Sequence, residues 1–168
     1  MKVLIAVASR HGATREIADE IQTILEAEGF AADVVDVASD TPLDGYDAVV
    51  LGSAVYSGRW LTSATRFAAA NRMRLRELPV WLFSSGPLGE PPEPDDNPVD
   101  VDDIDDQLHP VDDRVFAGRL DRSDLGFAER AMVGALGVLD GDYRQWDEIV
   151  DWAEGIAAHL AEMVAVVG

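Results

Sequence analysis

Residues 2–14 read Lys2-Val-Leu-Ile-Ala-Val-Ala-Ser-Arg-His-Gly-Ala-Thr14, and the fold follows from how this stretch divides. Lys2 to Ala8 is a near-continuous apolar run, the pattern of a strand buried on both faces of a parallel sheet. Ser9 to Thr14 is a turn of small and polar residues. A helical pattern starts at once, with Ile17, Ile21, Ile24 and Leu25 on one face and Gly29 as its C-cap. Strand, tight turn and helix in that order are the first half of a βαβ unit.

The same alternation continues outward. Strands are predicted at Ala32–Val37 and Asp47–Ser53, and a helix from Leu61 to about Leu78. A fourth strand is predicted at Val80–Ser84. Residues Gly86 to Asp113 break the rhythm, with six of the eight prolines and many aspartates. They read as a mobile acidic connector or as a short helix near Val101–Leu108. Arg114–Gly118 is the expected fifth strand. An insertion, Arg119 to Tyr143, carries Leu125, Phe127, Ala131, Met132, Leu136 and Leu139. A long amphipathic helix, Gln145 to Ala165, then closes the sheet. Strands alternating with helices at this spacing predict a single α/β domain over residues 1–168 with a parallel sheet.

Composition narrows the function. Thirty-two acids against 13 bases give a formal net charge of −19, which repels nucleic acid and anionic membrane surfaces. Twenty-one of the acids are Asp and a single base, Lys2, is lysine. Adaptation to high salt and a G+C-rich genome both produce this bias. The absence of cysteine excludes disulfides, thiolate chemistry and Cys-ligated metal centres. The N-terminal run is too short for a signal peptide and no apolar run is long enough to span a membrane, so the expected location is cytoplasmic. His11, His109 and His159 are scattered, and no metal site is expected from them. An acidic pair after the first strand, as phosphotransfer would need, is replaced by Ser9 and Arg10.

In an open parallel sheet, ligands bind beyond the carboxyl ends of the strands. Three loops lie there. Ser9-Arg10-His11-Gly12-Ala13-Thr14 offers backbone N–H groups at a helix N-terminus, hydroxyls at Ser9 and Thr14, and a glycine that lets the backbone come close. That chemistry suits a phosphate and needs no lysine. Taken alone, such a turn serves equally as a plain connection. The second loop holds Ser53, Ala54, Val55, Tyr56, Ser57 and Gly58, followed by Trp60. Its aromatics can stack on a flat ring, or Trp60 can pack beneath the next helix. The third loop holds Ser85, Gly86 and Pro87.

Ser9, Gly12 and Thr14 match the phosphate-loop pattern T/S-x-T/S-G-x-T, with His11 in place of the middle hydroxyl residue, and the chain resembles the flavodoxins. It is more closely similar to the flavodoxin subfamily that includes the menaquinone-dependent protoporphyrinogen oxidases. The similarity rests on S-R-H-G-A-T-R-E-I-A at Ser9–Ala18 and G-S-A-V-Y-S-G at Gly52–Gly58. It continues with F-A-G-R-L at Phe116–Leu120 and D-Y-R-Q-W at Asp142–Trp146. The resemblance implies a flavodoxin-like three-layer αβα fold with a five-stranded parallel sheet in the order 2-1-3-4-5. It implies FMN as cofactor, held by the three loops, with Tyr56 at the stacking position. It also implies redox chemistry, either as an oxidoreductase acting on a porphyrinogen and a quinone or as a carrier serving a redox partner protein. A fold-only binding module that has lost flavin is the non-enzymatic alternative, and it would have little use for Ser9, Gly12, Thr14 and Tyr56 together. A negative field opposes the addition of electrons and would lower the potential of a bound flavin. The oxidases carry a long insertion linked to activity, and Arg119–Tyr143 stands where a counterpart would. Its apolar residues would cover the sheet edge, form a homodimer interface or contact a quinone.

Overall fold

A computed structural model describes residues 1–56, 58–86, 99–136 and 139–167. The elements are β1 (Lys2–Ala8), α1 (Ala13–Ala27), β2 (Ala31–Asp36), β3 (Ala48–Tyr56), β4 (Arg59–Trp60), α2 (Thr62–Ala70), α3 (Arg72–Leu75) and β5 (Val80–Ser85). They continue with α4 (Val99–Leu108), β6 (Asp112–Phe116), β7 (Arg119–Leu120), a 3-10 turn (Arg122–Asp124), α5 (Phe127–Leu136), β8 (Gly141–Asp142) and α6 (Trp146–Val167). The main sheet runs β2-β1-β3-β5-β6, all parallel. This is the expected order 2-1-3-4-5, once the short β4, which pairs antiparallel with β3, is set aside.

The apolar run of β1 is continuous because both its faces are covered. Val3, Ile5 and Val7 join the core under α1 and α6, while Leu4, Ala6 and Ala8 join the core under α2, α3 and α4. Helix α1 ends as expected. Gly29 takes φ 91° and donates to Glu26 O, and Phe30 N–H reaches Leu25 O, which satisfies the last carbonyls.

One glycine inside a strand is there for space. Gly52 pairs with Phe83 in the β3–β5 register, and a Cβ at residue 52 would lie 2.1 Å from the Phe83 ring. Phe83 uses that space to pack edge-on against Trp152, 6.0 Å between centroids, and Phe116 joins the same cluster.

The proline- and aspartate-rich stretch divides. Residues 87–98, including Pro87 and the connector read as mobile, lie outside the described residues. Of the two readings of the remainder, the helix is the one found. Val101, Ile104 and Leu108 of α4 share one buried face, and Asp102, Asp103 and Asp106 are exposed. The fifth strand starts two residues earlier than expected, at Asp112. The predicted helix Leu61–Leu78 is two, broken at Asn71, whose side chain donates to Phe67 O. In the insertion, β7 and β8 pair antiparallel, and Leu120, Leu125 and Val133 form a small core of their own with Tyr143. Among the described residues, no helix is long and apolar enough to cross a membrane.

Candidate functional site

Strand order reverses direction between β1 and β3, so the loops after these two strands flank a crevice at the carboxyl edge of the sheet. The loop after β5 adjoins them, through the register Ala54↔Ser85.

The first loop is built around Gly12. Its φ of 85° lies in the left-handed region that favours glycine, and it serves as N-cap of α1 with no side-chain cap on the helix. The N–H groups of the first turn are therefore not taken by a capping side chain. Gly12 N–H donates to Ser9 Oγ at 3.1 Å, and Gly12 O accepts from Glu16 N–H at 3.0 Å. A Cβ on Gly12 would meet no atom within 4 Å, so the loop borders open space. Thr14 is buried at 3% exposure beneath it. Uncapped donors that border open space fit a phosphate group.

The second loop is a hairpin. Val55 pairs with Trp60 and Tyr56 with Arg59, and Gly58 sits at the tip with φ 69°. Ser57 lies outside the described residues. The Ser53 hydroxyl is buried and turned to the hairpin itself, donating to Ala54 O at 2.8 Å and accepting from Leu61 N–H at 2.9 Å. Of the two readings of Trp60, packing is the one observed: its ring is buried and Nε1 donates to Ser84 Oγ at 2.8 Å. Asp100 at the start of α4 accepts from Trp60 N–H and Arg59, which ties the hairpin to that helix. Tyr56 is half-buried, and burial raises its phenol pKa, so it stays neutral.

In the third loop Ser85 is buried and Gly86, at φ 124°, donates to Phe116 O at 3.2 Å. A Cβ on Gly118 would fall 2.8 Å from Gly86 Cα, so two glycines let these backbones meet.

Sequence reasoning assigned no role to the residues that surround the first loop. Arg10 forms an ion pair with Glu129 of α5, and its guanidinium carbon lies 4.9 Å from the centre of the Tyr56 ring. Glu129 also faces His11 Nε2 at 3.7 Å and accepts from Gly126 N–H at 3.0 Å. That backbone bond, with Arg10 and His11 beside it, holds the Glu129 carboxyl below the usual range. Behind the loop, Glu16 receives both Arg119 and Arg144. The signal for these residues was the pair of motifs at Phe116–Leu120 and Asp142–Trp146, whose arginines lie more than a hundred residues from Glu16.

The chain belongs to the flavodoxin domain family, whose model matches residues 4–145. It is accordingly a redox flavoprotein of the FMN-binding class. Among curated relatives it is similar to "Protoporphyrinogen IX dehydrogenase [quinone]" of Escherichia coli (strain K12), 27% identical over 177 aligned residues that cover 96% of this chain and 97% of the relative. Among solved structures, a Streptococcus flavodoxin superposes with TM-score 0.59 at 17% identity, over 97% of this chain and 99% of that one. Flavodoxin 2 from Bacillus cereus gives 0.58 at 20%, with the same coverage. Rubredoxin oxygen:oxidoreductase from Desulfovibrio gigas gives 0.64 at 14%, over 98% of this chain and 37% of that one. These structures share the fold.

Proposed function

We propose that the protein is an FMN-dependent oxidoreductase of the protoporphyrinogen dehydrogenase type, taking electrons from a porphyrinogen and passing them to a quinone. The observation that carries this reading is the insertion. It is included in the near-full-length likeness to the Escherichia coli dehydrogenase, and its helix α5 reaches across the first loop through Glu129 to Arg10 and His11. A carrier that only docks partner proteins has no evident need of such a cover.

In this reading Ser9–Thr14 holds the cofactor phosphate, and residues 53–58 and 85–87 flank the ring, with Tyr56 stacking on it. FMN, when bound, supplies the two-electron chemistry. The chain's own part is to bind and to exclude water. The uncapped turn of α1 gives N–H donors, and Gly12 keeps the approach open. The neutral Tyr56 ring offers a flat face, and Arg10, paired with Glu129 of α5, packs on that ring. Residues 1–168 act as one domain in which the insertion forms part of the site.

The purified protein should be yellow or take up added FMN, and should oxidise protoporphyrinogen with a quinone as acceptor. A protein that binds FMN but shows no turnover with any quinone is a carrier. One that stays colourless with added FMN refutes the cofactor site.

A further inference from the structure

The loop assigned to the phosphate is held from outside by two arginines that bracket the insertion, Arg119 at its start and Arg144 just past its end. Arg119 Nη2 donates to His11 O at 3.4 Å, and Arg144 Nη1 donates to Ala13 O at 3.3 Å. Gly12 O, between them, is taken by Glu16 N–H. The carbonyls of His11, Gly12 and Ala13 are thus all engaged on the protein's side.

In a planar trans peptide the C=O of one residue and the N–H of the next point in opposite directions. Fixing His11 O therefore fixes Gly12 N–H, and fixing Ala13 O fixes Thr14 N–H. Gly12 N–H meets Ser9 Oγ, which leaves the Ser9 hydroxyl proton free to be donated elsewhere. Were either peptide to flip, a carbonyl oxygen would face the concavity and repel an anion.

The two arginines are themselves clamped. Arg119 Nη1 reaches both oxygens of Glu16, at 3.1 and 3.2 Å. Arg144 reaches Glu16 at 2.5 Å and grips Asp142 through two bonds, at 2.8 and 2.6 Å. Arg144 also lies over the Trp146 ring at 4.6 Å, and its side chain is only 4% exposed. A desolvated fork of this kind holds its geometry far better than a surface ion pair.

We propose that Arg119 and Arg144 are positioning residues for the cofactor phosphate: they hold the His11 and Ala13 carbonyls away from the concavity, so that phosphate recognition requires the insertion to be docked. The inference rests on the assignment of Ser9–Thr14 to the FMN phosphate.

The test compares FMN with riboflavin, which has the same ring and no phosphate. Each is titrated against the flavin-free wild type, Arg119→Gln and Arg144→Gln, followed by flavin fluorescence. The wild type should prefer FMN. Each variant should lose about tenfold in FMN affinity, the size of one misdirected bond to an ionic group, while riboflavin affinity holds. Retained riboflavin binding shows that a variant is folded. If Arg144→Gln, the more buried of the two, binds neither flavin, the more exposed Arg119→Gln decides. A wild-type preference for FMN that persists unchanged in Arg119→Gln overturns the proposal alone. A wild type that shows no preference overturns the loop assignment beneath it.

Discussion

The Arg10 guanidinium lies over the ring of Tyr56, 4.9 Å from its centre, and the ion pair with Glu129 holds it there. Two residues of the candidate site are thus packed on each other and tied through Glu129 to a helix that neither adjoins in sequence. In the proposed site Tyr56 would give the flavin a flat face, with Arg10 packed on the same ring. Tyr56→Ala removes the face, and FMN affinity should fall by about tenfold, in line with about 0.5–1.5 kcal/mol for an aromatic pair beyond area burial. A fluorescence titration that finds the variant as tight as the wild type would remove Tyr56 from the site.

Gly12 allows a second prediction. Gly12→Asp puts a side chain at φ 85°, costing about 1 kcal/mol, and sets a negative charge beside the anion. Thr14→Val keeps the volume at a buried position and removes the hydroxyl. FMN binding should be lost in the first variant and weakened about tenfold in the second, while both keep a cooperative melt. Thr14→Val with wild-type affinity would show that the hydroxyl serves the fold alone.

The pairing of Gly52 with Phe83 predicts a stability effect with no redox content. Gly52→Ala drives a methyl group into the Phe83 ring, where an ideal Cβ would lie 2.1 Å away, and should cost about 3 kcal/mol. Gly52→Ala combined with Phe83→Leu should recover part of the loss, since leucine lacks the ring atoms that clash. Chemical denaturation of the four proteins gives the coupling directly, and simple additivity would show that the ring is not the obstacle.

How much was legible follows from the same residues. β1 and the loop after it could be read locally, because burial on both faces writes itself as an unbroken apolar run and Gly12 marks the turn. Helix α4 was half hidden. Its three buried residues, Val101, Ile104 and Leu108, are diluted by five aspartates and preceded by proline, so composition pointed to a connector. The hairpin strands β4, β7 and β8 are two residues each, too short for any period to show. The clamp of Glu16 by Arg119 and Arg144 lies in tertiary structure: the motifs that hold the arginines could be seen, but nothing local joins them to Glu16. Tyr56 could be picked out as a loop aromatic, but nothing near it in sequence announces the Arg10 guanidinium over its ring or the Glu129 that pairs with Arg10.

Charge gives the last prediction, with opposite signs at two positions. Hydrogen bonding to Arg144 is the main cause that holds Glu16 below the ordinary glutamate value of 4.5, with Arg119 adding to it. A depressed carboxyl contributes stability in full above its ordinary value and loses it as pH falls through the depressed one. Asp113 runs the other way. Burial first, then Asp105, Asp112 and Asp102, raise it above the ordinary 3.8, so its charge costs stability at neutral pH. That cost fades as pH falls through the raised value and is gone below the ordinary one. Glu16→Gln should therefore lower the melting temperature by a constant amount from about pH 8 to about pH 5, and the deficit should close only in stronger acid. Asp113→Asn should raise it over the same range, and the gain should begin to shrink at a higher pH than the Glu16→Gln deficit does. Melting curves of the three proteins across that range read both differences against the same background, so the other carboxylates cancel. Two variants that shift together would refute the assigned directions, because one group is charged with the fold's help and the other against it.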